Sequence, residues 1–386
     1  MSDSRFSSRR EALRWLGVGA AGAALSGCGT AWRPPPAPPA RPPAGDVPVA
    51  EAAPLPAPPA EAAPPAEAAP PAEAAPPAQS LVLPPRLQRG GTVGLVAPAG
   101  VIESATQVSE AIQDLRALGF QTRLGRNVLA KQGFLAGTDA QRAEDFMRMV
   151  EDPAVDAIVA IRGGWGAARI LPLLDFDAIA ANPKPIVGYS DITSLLVAIW
   201  ARTGLVTFHG PVGISSWSDE VVESFFQTVV DGEPLALAPE TRLIRDQTQT
   251  VRGGVAEGPF VGGNLSVLAA LAGTGYLPNT DGAVVFFEEV SEEAYRVDRL
   301  LTQLEMAGFL RAPAAVVFGQ CARCTDGDST WSAERTIREH LRGYDCPTVF
   351  GAPIGHTSPV YTVPVGLPAR VDADAGTVTF LGSAVA

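Results

Sequence analysis

Residues 185–196 read PIVGYSDITSLL, and the reading of this stretch decides the fold. Pro185 to Val187 is an apolar run suited to a buried strand. Gly188-Tyr189-Ser190-Asp191 is a sharp turn, and a helix follows from about Ile192 to Ala201. A serine between strand and helix is held out from a sheet edge, beside the free N–H groups of a helix start. Ser190 is therefore a candidate nucleophile.

The same alternation extends outward. Apolar runs at Thr92–Ala97, Phe120–Leu124, Val155–Ile161 and Leu205–Phe208 predict strands, and helical periodicity marks Ser104–Leu118 and Ala140–Val150. Val155–Ile161 leads into Arg162-Gly163-Gly164-Trp165-Gly166 and a helix to Leu174. Strands alternating with helices imply a parallel sheet with right-handed crossovers, whose ligands sit at the carboxyl ends of the strands. Gly163-Gly164 and Ser190 both lie at such ends and are expected to face one crevice. Further on, Gly262-Gly263-Asn264 opens a helix at Leu265–Ala272, and Gly282–Phe287 is a strand running into Glu288-Glu289. Glu293–Leu310 is a helix whose apolar stripe (Val297, Leu300, Leu301, Leu304, Ala307) is core. Strands at Ala314–Phe318 and Pro347–Phe350 and a helix at Ser332–Leu341 come next. Short strands at Tyr361–Val363, Ala369–Val371 and Val378–Leu381 form a β-rich closing layer.

The expected fold is therefore α/β in two domains, because some 300 folded residues exceed the usual size of one core. Residues 86–221 form a parallel-sheet domain with the candidate nucleophile, 222–255 a linker, and 256–386 a second α/β domain. Ahead of them the chain is not globular. Residues 1–28 carry Arg9-Arg10, an apolar run from Trp15 to Leu25, and Leu25-Ser26-Gly27-Cys28. This reads as a twin-arginine lipoprotein signal with Cys28 as the lipidated residue, the run being too short for a spanning helix. Gly29, rather than Asp, after the cysteine points to the outer membrane. Residues 29–85 are almost only Pro, Ala and Glu, with Glu61, Glu67 and Glu73 recurring, and read as an extended solvated tether. The expected location is thus a membrane-anchored lipoprotein facing the periplasm, with membrane contact through the lipid alone.

A net charge of −12 argues against nucleic acid as a partner. Cys321, Cys324 and Cys346 lack further ligands at zinc spacing, so neither metal nor other cofactor is expected. One disulfide is compatible with an oxidising compartment, its pairing left open. The oligomeric state is open too, a homodimer included.

A serine hydroxyl needs a base, and the base needs an orienting acid. Of three histidines, His340 sits in a charged amphipathic helix, a surface setting. His209 follows a strand, where a hydrogen-bonded structural histidine is the commoner outcome. His356 lies in the Gly/Pro-rich loop Gly351-Ala352-Pro353-Ile354-Gly355-His356 and ranks first. Glu288 ends an apolar strand and is the candidate acid, the competing reading being a turn cap. Donors for an oxyanion are expected from the backbone N–H of Asp191 and of Gly164 (or Gly163).

The segments VGLVAPAG (93–100), LAGTDAQRAEDF (135–146), IRGGWGAARILPLLDF (161–176), KPIVGYSDITSLL (184–196), HGP (209–211), GGNLSVLAALAGT (262–274), FFEEVSEEAYRVDRLLTQLEMAG (286–308) and GAPIGH (351–356) together resemble the serine LD-carboxypeptidases, the muramoyl-tetrapeptide carboxypeptidases of peptidase family S66. The resemblance covers about residues 88–385. It implies Ser190 as nucleophile, Glu288 as the triad acid, His356 as base, and a site between the two domains. It also implies murein tetrapeptide as substrate, cut between the diamino acid and terminal D-alanine. Phe287-Glu288-Glu289 stands where the family has Leu-Glu-Asp, which leaves the triad acid intact. Arg162 is a candidate for binding the D-alanine carboxylate, an ordinary ion pair being its competing reading. Family members that recycle murein usually lack an export signal, so a role in peptidoglycan remodelling is expected ahead of one in recycling. Two rival readings are a microcin-immunity-like serine peptidase acting on nucleotide-linked amides and a non-catalytic lipoprotein that binds stem peptides.

Overall fold

The computed structural model describes residues 80–238, 248–327 and 330–386. The signal, Cys28 and nearly all of the tether lie outside the described residues. The described chain contains two sheets with helices packed on them.

The first sheet takes β1 (Thr92–Val96), β2 (Gln121–Leu124), β3 (Ala157–Ala160), β4 (Ile186–Gly188), β5 (Thr207–His209) and, from far downstream, β12 (Val363–Val365). Their order is β12-β5-β4-β3-β1-β2, with β2, β1, β3, β4 and β5 all parallel. Its central strands are short and apolar, such as the AIVA of β3 and the IVG of β4, because both faces are covered there, whereas β2 at the edge is polar and mostly exposed. The crossovers include α1 (Ala105–Ala117), α2 (Asp139–Glu151), α3 (Phe176–Ala181) and α4 (Thr193–Thr203). A capping box at the start of α2 pairs Thr138 with Gln141, satisfying two orphan backbone donors. The helix expected after the RGGWG turn is a short 3-10 helix, Ala167–Leu173, with Pro172 inside it. Proline lacks the N–H that a longer α-helix would need there.

The second sheet has eight strands in the order β6-β14-β13-β8-β9-β10-β11-β7. Its parallel centre is β8 (Val255–Asn264), β9 (Val284–Val290), β10 (Ala315–Ala322) and β11 (Thr348–Phe350). The antiparallel flank is β13 (Pro368–Asp372) and β14 (Thr377–Phe380). Helices α6 (Leu265–Ala270), α7 (Ala294–Met306) and α8 (Ala333–Leu341) pack together beside it. Val297, Leu301 and Leu304 of the α7 stripe are fully buried, whereas Leu300 is half-buried and Ala307 is exposed.

Two further features differ from the sequence reading. The stretch 222–255 is more than a linker. It contains the end of α5 (Asp219–Phe225), a π-helical turn at Phe226–Asp231, and strands β6 (Ala236–Leu237) and β7 (Gln249–Arg252). These strands close the two edges of the second sheet, where such short strands limit edge-to-edge pairing. In addition, the strand expected near Tyr361 in the closing layer is β12, and it pairs antiparallel with β5 of the first sheet.

Candidate active site

The site is built around the turn after β4. Ser190 has φ 63°, a left-handed conformation that costs an L-residue about 1–2 kcal/mol. It starts a 3-10 turn, Ser190–Ile192, that continues as α4. Two glycines make the geometry fit. A Cβ on Gly188 would lie 2.8 Å from the Ile192 side chain, so glycine lets the helix close on its strand. A Cβ on Gly163 would lie 2.9 Å from Ser190 Cβ and 3.2 Å from its Oγ, so the loop after β3 touches the serine. The Gly100 N–H donates to the Gly163 carbonyl at 3.0 Å, joining the loops after β1 and β3 where the strand order reverses.

His356 and Glu288 come from the second sheet. Glu288 lies near the end of β9, is fully buried, and its Oε2 is 2.6 Å from His356 Nδ1. The His356 backbone N–H donates to the same oxygen at 3.2 Å. Burial alone would raise the Glu288 pKa, but the hydrogen bond and charge of His356 outweigh it and hold the carboxyl below its ordinary value. An ionised carboxylate only accepts, so the facing Nδ1 carries the proton and Nε2 is left as a base. Gly355 permits this contact. Its φ is +100°, and a Cβ there would fall 2.3 Å from Glu288 Oε2. Ser190 and His356 line one cleft of about 240 Å³, together with Arg162, Gly163, Gly164 and Tyr189.

The other expected residues divide. Gly164 lines the cleft. Asp191 is buried with its Oδ2 2.7 Å from the Ala167 N–H, and burial pushes its pKa up to about 6. Its side chain therefore ties the RGGWG turn to the serine turn, a role the sequence did not announce. Arg162 lines the cleft, but it donates to the Val101 carbonyl at 3.0 Å and faces Glu103 at 3.1 Å. His340 sits on α8 between Asp298 and Glu305 and does not line the cleft. His209 is fully buried among Tyr189 and Phe286, with neither ring nitrogen hydrogen-bonded. Its burial pushes its pKa down to about 4, leaving a neutral ring rather than the hydrogen-bonded structural histidine expected.

Several residues that sequence reasoning passed over hold the halves together. The Asn264 N–H donates to Thr193 Oγ1 at 3.0 Å, linking β8 to the first turn of α4. A Cβ on Gly263 would lie 2.4 Å from Thr193, so the second glycine of Gly262-Gly263-Asn264 allows that approach. Glu289 accepts from Asn264 Nδ2 at 3.1 Å, the Ser266 N–H at 2.7 Å and the Val290 N–H at 2.8 Å. It anchors the start of α6 while its neighbour Glu288 faces the histidine. The Tyr189 ring lies 4.8 Å from that of His356, edge to face. The signal for these roles was present as glycines beside polar residues at strand ends, but their partners are remote in sequence.

Residues 93–210 match the LD-carboxypeptidase N-terminal domain and residues 257–371 the LD-carboxypeptidase C-terminal domain. A probable murein peptide carboxypeptidase of Bacillus subtilis is 36% identical over 299 residues, 75% of this chain and 91% of that protein. The structure of a muramoyltetrapeptide carboxypeptidase from Oxalobacter formigenes superposes with TM-score 0.66 at 28% identity, covering 75% of this chain and 97% of that one. The microcin C7 self-immunity protein of Escherichia coli, solved with aspartyl sulfamoyl adenosine, gives TM-score 0.72 at 26% identity over 79% of this chain and all of that one. The two-domain α/β chain with this cleft is a peptidase and belongs to the LD-carboxypeptidase family.

Proposed function

We propose that this chain is a serine LD-carboxypeptidase that hydrolyses the amide between the diamino acid and terminal D-alanine of murein tetrapeptide. The observation that carries the reading is the buried Glu288 carboxylate 2.6 Å from Nδ1 of His356, which lines the cleft together with the strained Ser190. His356 Nε2 takes the Ser190 proton as Oγ bonds to the carbonyl carbon preceding D-alanine. The N–H groups of Asp191 and Gly164 face the tetrahedral oxyanion. The C–N bond then breaks, and the imidazolium gives its proton to the departing amine. A water deprotonated by the same histidine attacks the acyl-serine and frees the tripeptide and the Ser190 hydroxyl. Arg162, on the wall of the cleft, offers its remaining N–H groups to the stem peptide.

The names of the Bacillus and Oxalobacter proteins support murein peptide as the substrate class. The chain acts outside the cytoplasm, anchored through a lipid on Cys28 and reaching the wall on its Pro/Ala/Glu tether. The Cys321–Cys324 disulfide supports this location, because disulfides persist in oxidising compartments. The test is incubation with murein tetrapeptide followed by mass spectrometry. Loss of one alanine, abolished in Ser190→Ala, is the expected result. No loss from the wild-type chain, with its fold verified by circular dichroism, overturns the assignment.

A further inference from the structure

We propose that Arg323 is the receptor for the terminal carboxylate of the substrate, presented to the cleft by the disulfide-closed loop Cys321–Cys324. The proposal rests on the LD-carboxypeptidase reading above and names the residue that makes the enzyme require a free chain end. A carboxypeptidase selects its bond by the carboxylate one residue beyond it, and an arginine fork is the side chain best matched to that group. Arg162 already faces Glu103 and the Val101 carbonyl. Arg323 is exposed, and among the described residues no carboxylate or carbonyl engages it.

The loop lies between the two elements that supply the histidine and its acid. Cys321 pairs with Glu289, the residue after Glu288, and the Ser291 N–H donates to the Ala322 carbonyl at 2.8 Å. On its other side, Gln320 Nε2 donates to the Gly351 carbonyl at 2.9 Å, at the start of the loop that carries His356. Arg323 has φ 54°, a left-handed conformation unfavourable for an L-residue such as arginine. Such strain persists where the surroundings impose it, commonly at ligand clamps. Here the imposing element is a disulfide between residues three apart, which removes most of the freedom of the two residues it encloses. The arginine's positive charge also reaches the hydroxyl of Tyr189, a cleft-lining residue, where it lowers a pKa that burial raises. The loop thus has a place, a free cation and a clamp.

The experiment measures initial rates of the full-length chain on murein tetrapeptide and on the same peptide ending in a carboxamide. The wild type prefers the acid. Arg323→Gln raises KM for the acid by about tenfold to a hundredfold, the worth of one charge-assisted hydrogen-bonded pair, with kcat within about twofold and the amide unaffected. Arg323→Lys recovers part of the loss. Opening the ring, by a phosphine reductant or by Cys321→Ser with Cys324→Ser, raises KM in the same direction. An Arg323→Gln enzyme that keeps both its KM and its preference for acid over amide overturns the proposal and leaves the LD-carboxypeptidase assignment standing. A wild-type chain inactive on the tetrapeptide overturns both.

Discussion

At the scale of the residue, ionisation decides what each buried group contributes. Glu288 fixes the tautomer of His356 only while it is a carboxylate. Glu288→Gln keeps the shape but offers Nδ1 an ambiguous partner, and kcat on murein tetrapeptide is expected to fall about 10³–10⁴-fold with KM little changed. A loss below tenfold would remove Glu288 from the machinery. His209 makes a separate prediction about stability. Its folded pKa of about 4 lies below the ordinary 6.5, so between those values the unfolded chain takes up a proton that the folded chain refuses. The stability it contributes is full above pH 6.5 and is lost as pH falls through that window toward 4. Asp191 has the opposite sign. Its folded pKa of about 6 exceeds the ordinary 3.8, so its contribution is full below 3.8 and is lost as pH rises through 6. His209→Leu leaves the Asp191 slope and removes the histidine's. On going from neutral pH to about 4.5, the change in the variant's stability should be more favourable than the change in the wild type's by about 2–3 kcal/mol in urea unfolding. Equal acid losses in both proteins would show that His209 is protonated in the folded state.

At the scale of the element, glycines set how closely loops approach. Gly163→Ala places a methyl 2.9 Å from Ser190 Cβ, so activity should fall at least tenfold while the melting temperature changes little. Gly355→Ala should do more, because it meets both a φ of +100° and the buried Glu288 side chain. It should destabilise the fold by more than about 1 kcal/mol and also abolish turnover, read by thermal melting and tetrapeptide assay together. The two variants separate a local clash from a structural one. This scale also shows what the sequence could and could not reveal. Ser190, Glu288 and His356 were legible because each follows a short apolar run and stands at the carboxyl end of a strand or in the loop beyond it. The crossover helices α1 and α2 were legible through their period, whereas the six-residue α3 was too short to show one. The pairing of β6, β7 and β12 was not legible. Two to four residues with polar neighbours carry almost no pattern, and their register depends on which edge is open in the folded sheet. The contact of Asp191 with Ala167 was hidden for the same reason, since it joins loops 24 residues apart.

At the scale of the whole described chain, the cleft exists only where the two sheets meet. One sheet supplies Ser190 and the other supplies Glu288 and His356, so any relative movement separates nucleophile from base. Three contacts resist such movement. Asn264 is bonded to Thr193, α4 packs on β8 and α6, and β12 leaves the C-terminal half to pair with β5. The β12 exchange matters most, because it completes the first sheet with residues 363–365, long after its other strands. The first half alone would expose the backbone edge of β5 and the apolar surface that β12 covers. Urea unfolding should therefore be a single transition in the intact chain. Far-ultraviolet dichroism, tryptophan fluorescence (Trp165, Trp200 and Trp217 lie in the first half and Trp331 in the second) and tetrapeptide hydrolysis should share one midpoint. A fragment ending at residue 238 should lack that cooperative transition and bind a hydrophobic dye. Fluorescence surviving to higher urea than activity, or a cooperatively folding fragment, would show instead that the halves are independent and that the cleft is held by their surface contact alone.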